Sequence, residues 1–532
     1  MYRPEKVSHV MGTNFFTMNK ISRREIFLLI FCLLIGFALR FYTFDQKSLW
    51  MDEIYTFNDS RDDFKGQIKF YAENPTFLHP PLFFVLTHLF YPFPKPERDL
   101  RIIPLIFGTL SILMIYFLAR SFSPAIAFPC TLSLTFMAYH ISLSQDGRSY
   151  SLLMFLGMTG LYFFIKYLKT LRKVYLVLVA LFFAILFHTS YSSIPFIVLS
   201  QVLWFYQTDE NQKRPSLSSP LILNGLIILI CIPWTAFLAF NYRGQPVSDL
   251  RNIQDPVSLW DMIYGIFHDW VPYAPLMITS MILLILYPFF SKNKKNAFIL
   301  LSLFVLPIAG LYSYCRLFNI THFITSRYFI GFLPLFFITI FLSLDTIENK
   351  FETLKKFMRL KFLFVTLLIA SNLVILPLYY RSEKQDYRGL VTYLKGQLQN
   401  GDRIIVGNSF YISVMLHYLG VYPEGRHYIV PAWKVSEKEF EHRAALIFQG
   451  INFTIVYSKS HWFKYLTDGG RLWIVADKEN ARIVLEKIPC TLKGYFDGSF
   501  LNINRFPTDA SIYLFLWDPK SSNGKGIDMP IE

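Results

Sequence analysis

Ser48-Leu49-Trp50-Met51-Asp52-Glu53 follows directly on an apolar run at 26–44, and it places two adjacent carboxylates just past a segment long enough to cross a bilayer. Solvated loops carry acids routinely, so the pair acquires meaning only from what surrounds it. Working outward, the 532-residue chain is 53% hydrophobic and 18% aromatic, with only 17% charged residues. A soluble domain carries about 25% charged residues, so this chain spends much of its length in lipid.

Apolar runs close to the roughly 20 residues that span hydrocarbon recur along the chain, and about eleven spans are predicted. They lie at 26–44, 102–119, 123–141, 149–167, 174–188, 190–206, 219–240, 271–290, 297–315, 327–345 and 360–379. The formal charge of +15 fits cytoplasmic loops resting on anionic lipid better than it fits a nucleic-acid partner. Five cysteines show neither a disulfide framework nor a zinc spacing. The first run begins late and has no small-residue cleavage site, so it reads as a retained span.

Lys20, Arg23 and Arg24 precede the first span and put the N-terminus in the cytoplasm. Alternate loops then carry Lys166, Lys169, Arg172 and Lys173; Lys213 and Arg214; Lys292, Lys294 and Lys295; and Lys350, Lys355, Lys356, Arg359 and Lys361. An odd number of spans leaves everything after Arg381 outside. The same alternation puts Asp52-Glu53, His79-Pro80-Pro81, Ser144-Gln145-Asp146-Gly147-Arg148, the segment 242–270 and Ser326-Arg327-Tyr328 on one external face. Shared sidedness points to one shared site.

The first external loop, 45–101, is far too long for a connector. Phe64, Ile68, Phe70 and Tyr71 among charges predict an amphipathic helix lying in the interface. Leu78-His79-Pro80-Pro81-Leu82 opens a second, re-entrant or interfacial stretch, where the prolines fix the backbone. His79 alone reads first as a local hydrogen-bonding residue. Asp146 and Arg148 are expensive at a membrane boundary unless paired or solvated. Arg327 either snorkels or binds a phosphate, which its planar fork suits.

After Arg381 helices and strands alternate: a helix from Asp386 through Leu398, strands at Arg403–Val406, Tyr428–Val430, Phe453–Tyr457, Leu472–Val475 and Ser511–Trp517, and helices at Phe410–Leu419, Glu437–Phe448 and Glu479–Glu486. This predicts an extracytoplasmic α/β domain over 381–532, behind a transmembrane domain over 1–380. It has no glycine-rich nucleotide fingerprint.

A first span followed by Leu-Trp-x-Asp-Glu, then His-Pro-Pro-Leu, Ser-Gln-Asp-x-Arg-x-Tyr and Ser-Arg-Tyr resembles the GT-C membrane glycosyltransferases. Within them the chain is most similar to the protein O-mannosyltransferases and lipid A aminoarabinose transferases, over roughly residues 20–380. The resemblance implies a GT-C-type membrane domain in the plasma (inner) membrane. It implies transfer of a hexose or pentose from a polyprenyl-phosphate carrier to a glycolipid, polysaccharide or protein on the external face. It places the catalytic acids on Asp52, Glu53 and Asp146, and substrate contacts on His79, Arg148, Tyr150, Arg327 and Tyr328. Glu53 and His79 are the candidate ligands for a divalent metal, although no ligand spacing demands one. The C-terminal α/β region departs from the protein O-mannosyltransferases, which argues against a protein acceptor.

The chemistry fits independently. A positioned carboxylate can take the proton of a poorly nucleophilic hydroxyl as the new bond forms. Cations aimed at the departing lipid phosphate lower the barrier, and a single displacement inverts the anomeric carbon. A transporter or flippase is the rival reading. Transporters hold ionisable residues near the midplane and often show internal repeats. Here the charges cluster at span ends and no repeat is evident. A receptor or scaffold is a third, weaker reading.

Overall fold

The computed structural model describes residues 21–73, 79–207, 214–241, 258–317, 326–351, 359–406, 410–420, 455–456, 470–498 and 511–519. The predicted strand Tyr428–Val430, the predicted helix Glu437–Phe448 and residues 242–257 lie outside the described residues.

The chain is a multi-pass helical membrane protein. Six described helical segments are long and apolar enough to cross a membrane: Pro96–Phe122, Tyr150–Thr170, Ser218–Asn241, Lys294–Tyr314, Ser326–Lys350 and Leu360–Arg381. Two bent pairs bring the number to eight if each is one span: Pro124–Phe136 with Ala138–Ser144, at 61°, and Leu259–Trp270 with Ala274–Phe290, at 106°. The segment 242–270, expected as a connecting loop, thus ends in a helix that turns sharply into the next. Lys173–Thr189 and Tyr191–Phe205, the fifth and sixth predicted spans, are shorter apolar helical pieces. The first helix, Arg23–Phe41, is apolar in its middle but carries Arg23, Arg24, Glu25 and Arg40.

Burial separates centre from rim. Tyr150–Thr170 and Ser326–Lys350 are mostly buried, whereas few residues of Ser218–Asn241 are. The rim helices expose Phe27, Phe31, Leu34, Leu221 and Leu229, an apolar surface that lipid covers. At the centre, a Cβ on Gly160 would meet the Phe183 ring at 2.7 Å, so the glycine lets Lys173–Thr189 approach closely. Polar side chains inside the bundle bond to their own helix. Thr131, Ser133 and Thr135 each donate to a carbonyl one turn back at 2.8 Å.

The break at Met137 is closed by residues from other helices. Arg40, fully buried, donates to the carbonyls of Gly36 at 2.9 Å, Thr135 at 3.2 Å and Leu134 at 2.9 Å. Asn372 Oδ1 accepts the Ala138 N–H, the first unpaired donor beyond the break, at 2.9 Å. A broken helix in lipid needs such partners, because no water is there to supply them.

Five strands form one sheet in the order β2-β1-β3-β5-β4, where β1 is Arg403–Val406, β2 Ile455–Val456, β3 Leu472–Ala476, β4 Thr491–Phe496 and β5 Ile512–Trp517. The β1 strand pairs in parallel with β2 and β3, whereas β5 runs antiparallel to β3 and β4. Strand β3 is buried along its whole length, and its alternate residues enter two layers. Trp473 and Val475 face the helices Tyr387–Gln397 and Phe410–Leu419, while Leu472 and Ile474 face Lys478–Lys487. The edge strand β4 escaped sequence reading because Lys493 and Gly494 break its alternation; the register shifts between Leu492 and Gly494. The first of these layers also holds Leu49, Ile54, Phe57 and Leu100, so the sheet's helices pack directly on the segment that follows the first helix.

Candidate functional site

The motif folds as the start of a short helix, Met51–Asp59, with Trp50 at its N-cap. Successive residues on a helix are about 100° apart, so Asp52 and Glu53 face different surroundings. Glu53 is fully buried. Arg101, from the start of the next long helix, donates to both its carboxylate oxygens at 2.7 Å. The Gly147 N–H donates to Glu53 Oε1 at 2.6 Å. Arg101 uses its remaining donors on the carbonyls of Phe44, Lys47 and Ser48. Glu53 therefore ties three segments together and has no oxygen facing open space.

Asp52 turns the other way and keeps a side chain 17% exposed. Arg327 Nη1 lies 3.4 Å from Asp52 Oδ2. Arg148 donates to the Asp52 carbonyl at 3.1 Å and to Thr56 Oγ1 at 3.2 Å. Burial alone would lower the Arg148 pKa; Asp52, Tyr150 and Asp146 outweigh it and raise the value. Arg327 lies over the rings of Trp50, Tyr150 and Tyr328 at 5.8, 5.8 and 5.5 Å. Its partner in sequence, Ser326, bridges Asp269 and the Tyr139 hydroxyl, which anchors the turn before the helix Leu333–Lys350.

Asp146 is 2% exposed and already satisfied. Its Oδ1 accepts the Trp50 indole N–H at 2.9 Å, and Lys384 Nζ lies 2.6 Å from its Oδ2. Burial pushes its pKa up, but Lys384, the Trp50 indole and Arg148 together hold it below the usual carboxylate range. His79 keeps an exposed face.

Thus the structure brings Asp52, Arg148, Tyr150, Arg327 and Tyr328 to one place, with His79 at its edge and Glu53 and Asp146 behind it. Lys384, Arg101 and Trp50 are part of the same network, and the sequence reading gave them no role. Lys384 had one available signal: it is a cation four residues beyond Tyr380, just past the last long helix. No metal-binding group of three or more His, Cys, Asp or Glu residues occurs among the described residues. The donor chemistry agrees, since Glu53 and Asp146 have already paired with cations and Asp52 faces Arg327. These residues do not fit a resident divalent ion.

The fold has known counterparts. ArnT from Cupriavidus metallidurans in the apo state superposes with a TM-score of 0.51 at 11% identity, covering 93% of this chain and 98% of that one. ArnT bound to undecaprenyl phosphate gives a TM-score of 0.51 at 12% identity, covering 94% and 99%. The arabinofuranosyltransferase AftD from Mycobacteria gives a TM-score of 0.52 at 12% identity, covering 93% of this chain and 40% of that one. No curated protein matches the chain in sequence. The architecture and the clustered site define a polytopic membrane protein with the GT-C glycosyltransferase fold. Within that class, residues 78–237 match the family described as dolichyl-phosphate-mannose-protein mannosyltransferase.

Proposed function

We propose that this protein is a membrane glycosyltransferase that moves a sugar from a polyprenyl-phosphate carrier to a hydroxyl of a glycolipid or polysaccharide on the external face of the plasma membrane. The observation that carries the reading is the Asp52–Arg327 pair, a half-buried carboxylate beside an arginine that three aromatic rings surround. The pair supports a base and a phosphate-binding cation that act on one substrate.

In the reaction, Asp52 takes the proton of the acceptor hydroxyl as its oxygen bonds to the anomeric carbon. The bond from that carbon to the phosphate oxygen breaks, and its electron pair leaves with the phosphate. Arg327 and Arg148 neutralise the charge that develops there. The nucleophile enters opposite the leaving group, so the anomeric configuration inverts. Glu53 and Arg101 hold the helix that carries Asp52, and Asp146 serves as a support for Trp50. An apolar cavity of about 340 Å³ supports a lipid carrier: it is lined by Ile263, Phe267, Met281, Phe304, Val305 and Ile308, among others. It runs along the helix Leu259–Trp270, whose Asp269 meets Ser326 beside Arg327.

The topology and boundaries belong to the same proposal: about eleven spans, a cytoplasmic N-terminus, and an α/β domain over 381–532 outside. Mass spectrometry of envelope glycolipids and polysaccharides, in cells with the gene and in cells lacking it, tests the function. Loss of one sugar substituent on deletion, restored by the wild-type gene and not by Asp52→Asn, is the expected result. Identical glycan profiles in all three strains would overturn it.

A further inference from the structure

Residues beyond the last long helix reach back to the loop that carries the catalytic motif. Glu383 Oε2 accepts the Ser48 N–H at 3.0 Å, and the Tyr418 hydroxyl accepts the Leu49 N–H at 2.6 Å while donating to Glu97 at 3.0 Å. Arg388 donates to the Gln46 carbonyl. Between these contacts Lys384 Nζ sits 2.6 Å from Asp146 Oδ2 and 4.3 Å from the centre of the Trp50 ring. Trp50 in turn donates to Asp146 and lies under Arg327, whose guanidinium faces Asp52.

From this chain of contacts we propose that Lys384 is a positioning residue of the active site, which acts through Asp146 and Trp50 to keep Arg327 against Asp52. The inference rests on the glycosyltransferase reading given above.

The physical case is one of charge balance. Asp146 is buried, and a buried carboxylate without its cation carries a penalty of several kcal/mol unless it finds another. Lys384 is its nearest cation. Arg148 and Arg327 are both close enough for Asp146 to act on their charges. With Lys384 gone, Asp146 draws on those two arginines, which then lie less well against Asp52 and the departing phosphate. Lys384 engages Asp146 and the Trp50 ring, so its effect on Arg327 and Asp52 is indirect.

The test uses the full-length protein in detergent with a synthetic polyprenyl-phosphate sugar as donor. Lys384→Met should lower kcat at least 10-fold and leave KM for the donor within about threefold, while Lys384→Arg recovers most of the loss. Adding Asp146→Asn to Lys384→Met removes the uncompensated charge and keeps an acceptor for the Trp50 indole, so kcat should recover several-fold over Lys384→Met alone. A double variant no better than Lys384→Met overturns the proposal, and so does a Lys384→Met enzyme with unchanged kcat. Hydrogen exchange supplies a readout that needs no activity: exchange over residues 46–56 and 326–332 should quicken in Lys384→Met and slow again in the double variant. Unchanged exchange overturns the coupling whatever the enzyme's chemistry. The expected exchange pattern in a protein whose wild type transfers no sugar would leave the coupling standing and remove the glycosyltransferase reading.

Discussion

Arg101 grips both oxygens of Glu53 at 2.7 Å, and both side chains are almost wholly buried, at 3% and 1% exposure. Asp52, one residue earlier, is turned to the open side of the same helix. Two adjacent acids with the same intrinsic chemistry thus sit in different surroundings, and under the proposed function Glu53 is structural and Asp52 chemical.

Removing one partner of a buried, doubly bonded ion pair leaves the other charge stranded. Glu53→Gln is therefore expected to destabilise the protein by about 3–5 kcal/mol. Thermal unfolding in detergent measures this. The paired change Glu53→Gln with Arg101→Met should recover part of the loss, because no charge is then stranded.

Asp52→Asn keeps the shape of the side chain and removes the base. Transfer should fall by about 10²–10⁴-fold, the range of general base catalysis, while thermal stability stays within about 1 kcal/mol, as expected for a partly exposed position. A sugar–enzyme adduct trapped on Asp52 would contradict a single displacement.

Arg327→Lys keeps the charge but loses the planar group that stacks among three rings and meets Asp52. Arginine and lysine are not equivalent at such a site. The variant should lose about 10-fold or more in kcat/KM, equivalent to about 1.4 kcal/mol of transition-state binding.

Arg40 and Asn372 close the break at Met137. Arg40→Leu leaves the carbonyls of Leu134 and Thr135 without these donors in the bundle. The cost is expected to be about 2–6 kcal/mol, taking about 1–3 kcal/mol for each of the two unsatisfied buried carbonyls. Stability in detergent reads it out.

Glu383 provides the pH dependence. Burial, then Asp386, raises its pKa to about 7. A carboxyl whose folded value lies above its unfolded value, about 4.3, favours the protonated form in the fold. Its contribution is present below the unfolded value and is lost as pH rises through about 7. Thermal stability in detergent should therefore fall between neutral and mildly alkaline pH, although the carboxylate is the better acceptor for the Ser48 N–H. Glu383→Gln should flatten that dependence.

Much of this was legible along the chain because it is local. Apolar length marked the membrane segments, short apolar runs marked β1, β3 and β5, and the motifs behind the family resemblance singled out Asp52, Arg148 and Arg327. The helices Phe410–Leu419 and Tyr387–Gln397 likewise form where their apolar spacing puts them. The bends were not legible, since a break at Met137 or after Trp270 is tolerated only where distant groups repair it.

The sequence by itself determined that the protein lives in the membrane, that its unusual charges gather at span ends, and which motif carries the acids. Only the tertiary structure decided which acid keeps an exposed side and which is sealed in. Asp52 and Glu53 have nearly the same intrinsic chemistry, and their difference comes from Arg101, 48 positions away, and Arg327, 275 positions away. Tertiary packing likewise brought Lys384 onto Asp146, because a buried charge takes whichever cation the fold sets beside it, however distant in the chain.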